Sequence, residues 1–276
     1  RLRSGVEAAF SLLSEDGGEA AARAIMTTDT RMKQACARIE QDGQEVRIGG
    51  MAKGSGMIHP DMATMIAVIT TDARVPAPAL DAALRQTAAR SFNRISVDGV
   101  TSVCDKALLI ASGASGVSIE PGEPAWDMFT AALDSVCRSL ARMLAADGEG
   151  ATKLLTIEVK NAPTARDAHL VASAVAKSPL CKTAAFGRDA NWGRVLTAAG
   201  YSGAAFDPEK VDIFIGGLPV CRDGAGLPFD EEKALRILAA DEVTYTVDLK
   251  QGNCDDFMWT CDLSYDYVKI NGSYRS

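Results

Sequence analysis

Thr64 follows a small residue in Asp61-Met62-Ala63-Thr64-Met65, downstream of a glycine-rich, cation-bearing stretch, Lys53-Gly54-Ser55-Gly56. A threonine hydroxyl does not attack at neutral pH unless a base takes its proton. Cutting the Ala63–Thr64 bond would supply that base, because the freed α-amine has a reference pKa of about 8 and sits on the same residue. Small Ala63 leaves the carbonyl uncrowded. Thr64 is therefore a candidate chemical centre and the bond before it a candidate cleavage site, with an ordinary hydroxyl as the plain reading. His59, five residues upstream, is a second candidate base, but no acid to orient it can be picked out. His169, the other of two histidines, lies in an alanine-rich helical segment and reads as structural.

Other groups have both a chemical and a plain reading. Lys53 and its glycines form either a backbone nest for an anion or a flexible turn; the spacing is not that of a P-loop. Thr27-Thr28-Asp29-Thr30 is rich in short-range hydrogen bonders and reads as a turn or strand end. Asp147-Gly148-Glu149-Gly150 has too few carboxylates for a calcium loop. It is a helix C-terminal turn, or it offers a carboxylate to an amine. Arg188–Arg194 reads as a turn capping a helix from about Trp192, with a pocket as the alternative. The C-terminal stretch carries tyrosines and an isoleucine, so it is expected to dock on the body and bring Asn271 and Ser276 to a site.

Several elements must position these groups. Val6, Phe10 and Leu13 predict helix within residues 1–25. A turn at 41–44 precedes a short strand, Glu45–Ile48. The apolar runs up to Ile69 and over Ala107–Ala111 predict two buried strands. Ala79–Phe92 reads as an amphipathic helix. Trp126, Phe129, Leu133, Cys137, Leu140 and Leu144 mark the inner face of a long one. Beyond 150, alternation at Leu155–Val159, Val211–Ile215 and Val243–Val247 predicts half-buried strands, with a hairpin at Gly216-Gly217 and helices over Asp167–Lys177 and Asp230–Ala239. Without a regular βαβ rhythm, the fold class is α+β with layered sheets and helices and a smaller α/β C-terminal part.

The chain has 276 residues, 47% hydrophobic, enough for one large core or two linked ones. Its net charge of −7 argues against nucleic acid as a partner, and no apolar run approaches a membrane span. Seven scattered cysteines without a CxxC pair read as reduced cytosolic thiols rather than a disulfide framework or a zinc site.

Taken together, Ala24–Thr30, Ala52–Ile58, Asp61–Met65, Asp147–Ala151 and the Asn271…Ser276 tail resemble, in order, the self-processing glutamate N-acetyltransferases of arginine biosynthesis, also called ornithine acetyltransferases. The resemblance implies an N-terminal-nucleophile-like fold and a cut between Ala63 and Thr64. The pieces are an α portion, 1–63, and a β portion with a nucleophile-bearing part, 64–150, and a C-terminal part, 151–276. It implies that Thr64 takes acetyl from N-acetylornithine and passes it to glutamate by a ping-pong scheme. Substrate contacts would fall on Thr27, Lys53, Thr64, Glu149, Asn271 and Ser276, with Thr28 an equal alternative to Thr27. It further implies no metal or organic cofactor, a heterotetramer of two α and two β chains, and a cytoplasmic location. Its oxyanion hole, a Thr-Gly pair, would lie upstream of Arg1-Leu2-Arg3. The alternatives are an additional acetyl-CoA-dependent activity, or a truncated, non-catalytic ligand-binding relative.

Overall fold

The computed structural model describes residues 2–41, 43–59, 65–102 and 105–273. Along the chain run α1 (Leu2–Ser11), α2 (Gly18–Ala24), β1 (Lys33–Gln41), β2 (Gln44–Lys53), β3 (Ile66–Thr71), α3 (Ala77–Arg90), β4 (Ile95–Ser96), β5 (Lys106–Ala111) and α4 (Pro124–Ala146). There follow β6 (Leu154–Ala162), α5 (Ala165–Lys177), α6 (Pro179–Phe186), α7 (Trp192–Gly200), β7 (Asp212–Ile215), β8 (Leu218–Arg222), β9 (Ala225–Gly226), α8 (Glu231–Leu238), β10 (Glu242–Asp248), β11 (Cys254–Cys261) and α9 (Tyr265–Ser273).

The strands form two mixed sheets, ordered β1-β2-β3-β5 and β4-β11-β6-β10-β7-β8-β9. The fold is α+β, as the element pattern implies. In the first sheet β2 pairs antiparallel with β1 and β3, while β5 joins β3 in parallel. Helix α4 packs on β1 and β2 and also reaches β4 and β11 of the second sheet. Its Phe129, Leu133, Cys137, Leu140 and Leu144 are all fully buried, each large side chain contributing roughly 1.5–3 kcal/mol. A second core gathers around β6, β10, β7 and helices α5 and α7. The β7–β8 hairpin turns at Gly216-Gly217, both at positive φ, the backbone a tight hairpin turn requires.

Two sequence expectations are corrected. The strand expected over Glu45–Ile48 runs on to Lys53, through the glycine pair. A β-carbon on Gly50 would stand 2.9 Å from Leu140 Cδ1, so this glycine serves close helix–sheet approach and does not break the strand. The run Ala107–Ala111 is a strand, but not a buried one. It is β5, the edge of the first sheet, with Leu108 and Ile110 47% and 52% exposed. An apolar run alone does not tell an edge strand from a central one. Strand β1 and helix α6 lie in stretches where small and polar residues hid the periodicity. Helix α1 forms, with its apolar side chains exposed.

Candidate functional site

Three strand ends meet in one row. The registers pair Lys53, last in β2, with Ile66, first in β3, and Ile66 with Lys106, first in β5. Ala63, Thr64 and Ser276 lie outside the described residues. Met65, bonded to Thr64, is inside them and largely buried, and its N–H donates to Asp105 Oδ1 at 2.7 Å. Asp105 thus fixes the chain one residue past the candidate nucleophile. Burial pushes its carboxyl above the usual carboxylate range, against the opposing pull of the Met65 N–H and the Lys53 ammonium. Lys53 itself is 8% exposed.

The threonine run leaves α2 and turns against this row. Thr27 donates its N–H to Asp29 Oδ2 (3.0 Å), and the hydroxyls of Thr28 and Ser55 are 2.6 Å apart. Asp29 Oδ1 accepts the Gly54 N–H at 2.6 Å. Threonine loop and glycine stretch are therefore stitched together at the two residues that follow Lys53. The expected turn at Thr27–Thr30 is present, but its polar groups are spent on the neighbouring segment as well as on itself.

The turn after α4 closes the third side. Glu149 donates its N–H to the Ser55 carbonyl at 2.7 Å. A β-carbon on Gly56 would fall 2.5 Å from the Glu149 carboxylate, so only glycine lets that carboxylate lie over the loop. Gly150 has φ +71°, and a β-carbon there would meet the Tyr267 nitrogen at 2.4 Å. That contact lets α9 dock. Ser264 Oγ donates to the Gly150 carbonyl (2.5 Å), and Asn271 Nδ2 donates to Glu149 Oε2 (2.9 Å) and to the Tyr267 carbonyl (3.0 Å). The tail thus docks as expected, through polar contacts, while Tyr265 and Val268 remain exposed. The Tyr267 hydroxyl reaches Asp98 at 3.4 Å, and burial beside Asp98 and Glu149 pushes its phenol up to about 12.

Beneath these segments lies an ion cluster that the sequence reading missed. Lys33 Nζ, fully buried, donates to Asp29 Oδ1 and to Asp147 Oδ2, each at 2.6 Å. Asp147 also accepts the Thr30 N–H (3.0 Å), the Arg31 N–H (3.3 Å) and the Thr30 hydroxyl. Burial pushes the Asp29 carboxyl up, but Lys33 and the Gly54 and Thr27 N–H groups outweigh it and hold it below the usual range. Asp98, also missed, accepts the N–H groups of Met57 (2.7 Å) and Ile58 (3.1 Å), holding Met57 at φ +53°. Asp29 and Asp147 stood within stretches already singled out, but single carboxylates carry no pattern that tells a backbone anchor from a solvated charge.

The other candidates fall elsewhere. His59 is half-buried, with Nδ1 3.2 Å from Ser96 Oγ. His169 pairs with Asp256 at 2.9 Å on α5, a structural place. Asn191 caps α7 by accepting the Arg194 N–H at 3.1 Å, and Arg194 donates to the Leu180 carbonyl. The Arg188–Arg194 stretch is therefore a turn and cap. Among the described residues no cluster of side chains has the makings of a metal site.

The described site residues Thr27, Thr28, Lys53, Glu149 and Asn271 thus come together around the strand end that carries Met65. The chain can be compared with known proteins on that basis. It is 54% identical to the arginine biosynthesis bifunctional protein ArgJ of Symbiobacterium thermophilum over 277 residues, covering all of this chain and 69% of that one. It is 47% identical to the protein of the same name from Geobacillus stearothermophilus, over all of this chain and 68% of the other. The fold is similar to the 2.00 Å crystal structure of arginine biosynthesis bifunctional protein ArgJ from Bacillus halodurans, with a TM-score of 0.73 and 42% identity over 75% of this chain and 98% of that one. The ArgJ family model matches residues 1–276, and with these relatives it establishes that the chain belongs to the ArgJ family.

Proposed function

We propose that this chain is an acyltransferase of arginine biosynthesis that moves acetyl from N-acetylornithine to glutamate through an acetyl-Thr64 intermediate. The observation that carries the reading is the convergence of Lys53, the Thr27-Thr28 loop, Glu149 and Asn271 beside the strand that begins at Ile66, two residues after Thr64. Thr64 Oγ attacks the Ala63 carbonyl carbon, the C–N bond breaks to free the Thr64 amine and leave an ester on Oγ, and water then opens that ester to release the Ala63 carboxylate and restore the hydroxyl. That amine then takes the hydroxyl proton as Oγ attacks the acetyl carbonyl of N-acetylornithine. Ornithine leaves with the proton on its amine, and the α-amine of glutamate attacks the acetyl ester in turn. Lys53 pairs with a substrate carboxylate, Glu149 with the ornithine side-chain amine, and Asn271 and Ser276 complete the polar shell. Thr27 is favoured over Thr28 as the substrate contact, because the Thr28 hydroxyl is already engaged by Ser55.

The cut gives an α part, 1–63, and a β part, with 64–150 carrying the nucleophile and 151–276 forming the α/β end. The parts stay joined after cleavage through the β2–β3 ladder, whose register spans Ile48↔Thr71 to Lys53↔Ile66. Supporting the cut, the solved Bacillus halodurans chain is matched over 98% of its length by 75% of this one, the size expected of the β part alone. The assembly is two α and two β chains, in the cytoplasm. The word bifunctional in the relatives' names favours a second activity, acetyl-CoA-dependent acetylation of glutamate.

Gly56→Ala offers a steric check on the role of Glu149. The added methyl displaces the carboxylate that lies 2.5 Å from its place. The expected result is a KM for N-acetylornithine raised about tenfold, measured in steady-state transfer, with cleavage intact. The test of the whole reading is intact mass analysis of the protein expressed from its complete gene. Two fragments are expected, the second beginning at Thr64, and a single uncut chain under native conditions would sink it.

A further inference from the structure

We infer that Lys33 is a positioning residue for this site: its buried ammonium joins the three segments that carry the substrate contacts. The inference rests on the reading of Thr64 as an acetyl-transfer nucleophile. Lys33 opens β1 and is 1% exposed. An ammonium has three N–H groups, and these are spent on Asp29 (2.6 Å), Asp147 (2.6 Å) and the Arg31 carbonyl (3.3 Å). Each carboxylate then carries a different piece of the site. Asp29 holds the Thr27 N–H and the Gly54 N–H, next to Lys53. Asp147 holds the Thr30 and Arg31 N–H groups and stands two residues before Glu149.

The segments come from distant parts of the chain, residues 27–31, 53–56 and 147–149, and no ladder hydrogen bond links the first or the third to β2. Beyond the Glu149 N–H bond to the Ser55 carbonyl, their relative placement rests on side chains, and Lys33 is where the two anchoring carboxylates meet. A cation is needed there. Two carboxylates brought to one buried point repel each other, and the Lys33 ammonium, 2.6 Å from each, offsets that repulsion. The cluster is built for geometry more than for net stabilisation, since buried ion pairs often do no better than an apolar filling.

The experiment compares two variants of the full-length protein. Lys33→Met keeps length but strands two buried carboxylates, so it is expected to fold poorly. Lys33→Met/Asp147→Asn removes one charge of each sign and keeps the cluster's net charge and shape, while still breaking the joint. The double variant is expected to be cut at Thr64 and to melt near the wild-type temperature. Its KM for both N-acetylornithine and glutamate should rise by roughly tenfold to a hundredfold, with kcat changed much less, because misplaced contacts weaken substrate capture in both half-reactions. A purely structural lysine would instead reduce the amount of active enzyme at unchanged KM. An unchanged KM for both substrates in the double variant overturns the inference, whatever kcat does. So does failure of both variants to fold, which would assign Lys33 to the fold itself. Absence of acetyl transfer in the wild-type protein would instead sink the underlying functional reading.

Discussion

Thr64→Ala is expected to yield one uncut chain with no measurable acetyl transfer. The same hydroxyl opens the Ala63–Thr64 bond and later carries the acetyl group, so one substitution removes both reactions. Loss of a nucleophile that works with its own base typically costs 10⁴-fold or more, roughly 5 kcal/mol or beyond in transition-state energy. The fold should survive. Strand β3 begins only at Ile66, and the Met65 N–H retains its acceptor, Asp105, at 2.7 Å. The thermal midpoint should therefore move little, and the mass spectrum should show the whole precursor. Thr64→Ser separates the hydroxyl from its methyl group and should keep both cleavage and transfer. If Thr64→Ala still moved acetyl from N-acetylornithine, Thr64 would not be the nucleophile. His59, whose Nδ1 lies 3.2 Å from Ser96 Oγ, would then return as a candidate base for another hydroxyl or water.

Much of this candidate site could be named from the sequence because its groups sit in short stretches that resemble one family's motifs, although each stretch alone also has a plain reading as a loop or helix end. Lys53 lies among glycines, and Glu149 is flanked by two of them. Those glycines now have specific reasons. Gly56 admits the Glu149 carboxylate, and Gly150 admits the backbone of α9. The helices with long apolar stripes were equally legible, as α4 illustrates with its buried Phe129, Leu133 and Leu144. What escaped was long-range by nature. Lys33 lies 114 residues from Asp147, and Asp98 lies 41 from Met57. Asp105 meets Met65 across 40 residues. Each is a single charged residue whose plain reading is a solvated surface group, and only the approach of segments far apart in the chain gives it a partner. The edge position of β5 was hidden for a related reason. Strand order is a property of the sheet, and Leu108-Leu109-Ile110 reads the same at its centre as at its rim.

Glu149→Gln should separate the two half-reactions. The substitution preserves shape: an amide oxygen can still accept from Asn271 Nδ2, at 2.9 Å in the wild type, and the backbone N–H still donates to Ser55. Only the charge is lost. N-acetylornithine presents a side-chain ammonium, and a hydrogen bond to a charged partner is worth about 1.5–3 kcal/mol, so its KM should rise roughly ten- to a hundredfold. Glutamate carries a carboxylate at the other end of its side chain, which gains nothing from Glu149 and is repelled by it. Its KM should hold steady or fall. The measurement is steady-state transfer with each substrate varied against a saturating partner, on protein shown by mass to be cut. Equal rises for both substrates would mean that Glu149 supports the pocket without reading the ornithine amine. A selective rise would instead show one pocket serving a cationic donor and an anionic acceptor in turn. The Asn271 amide, which can donate or accept, would then be the group that adapts between them.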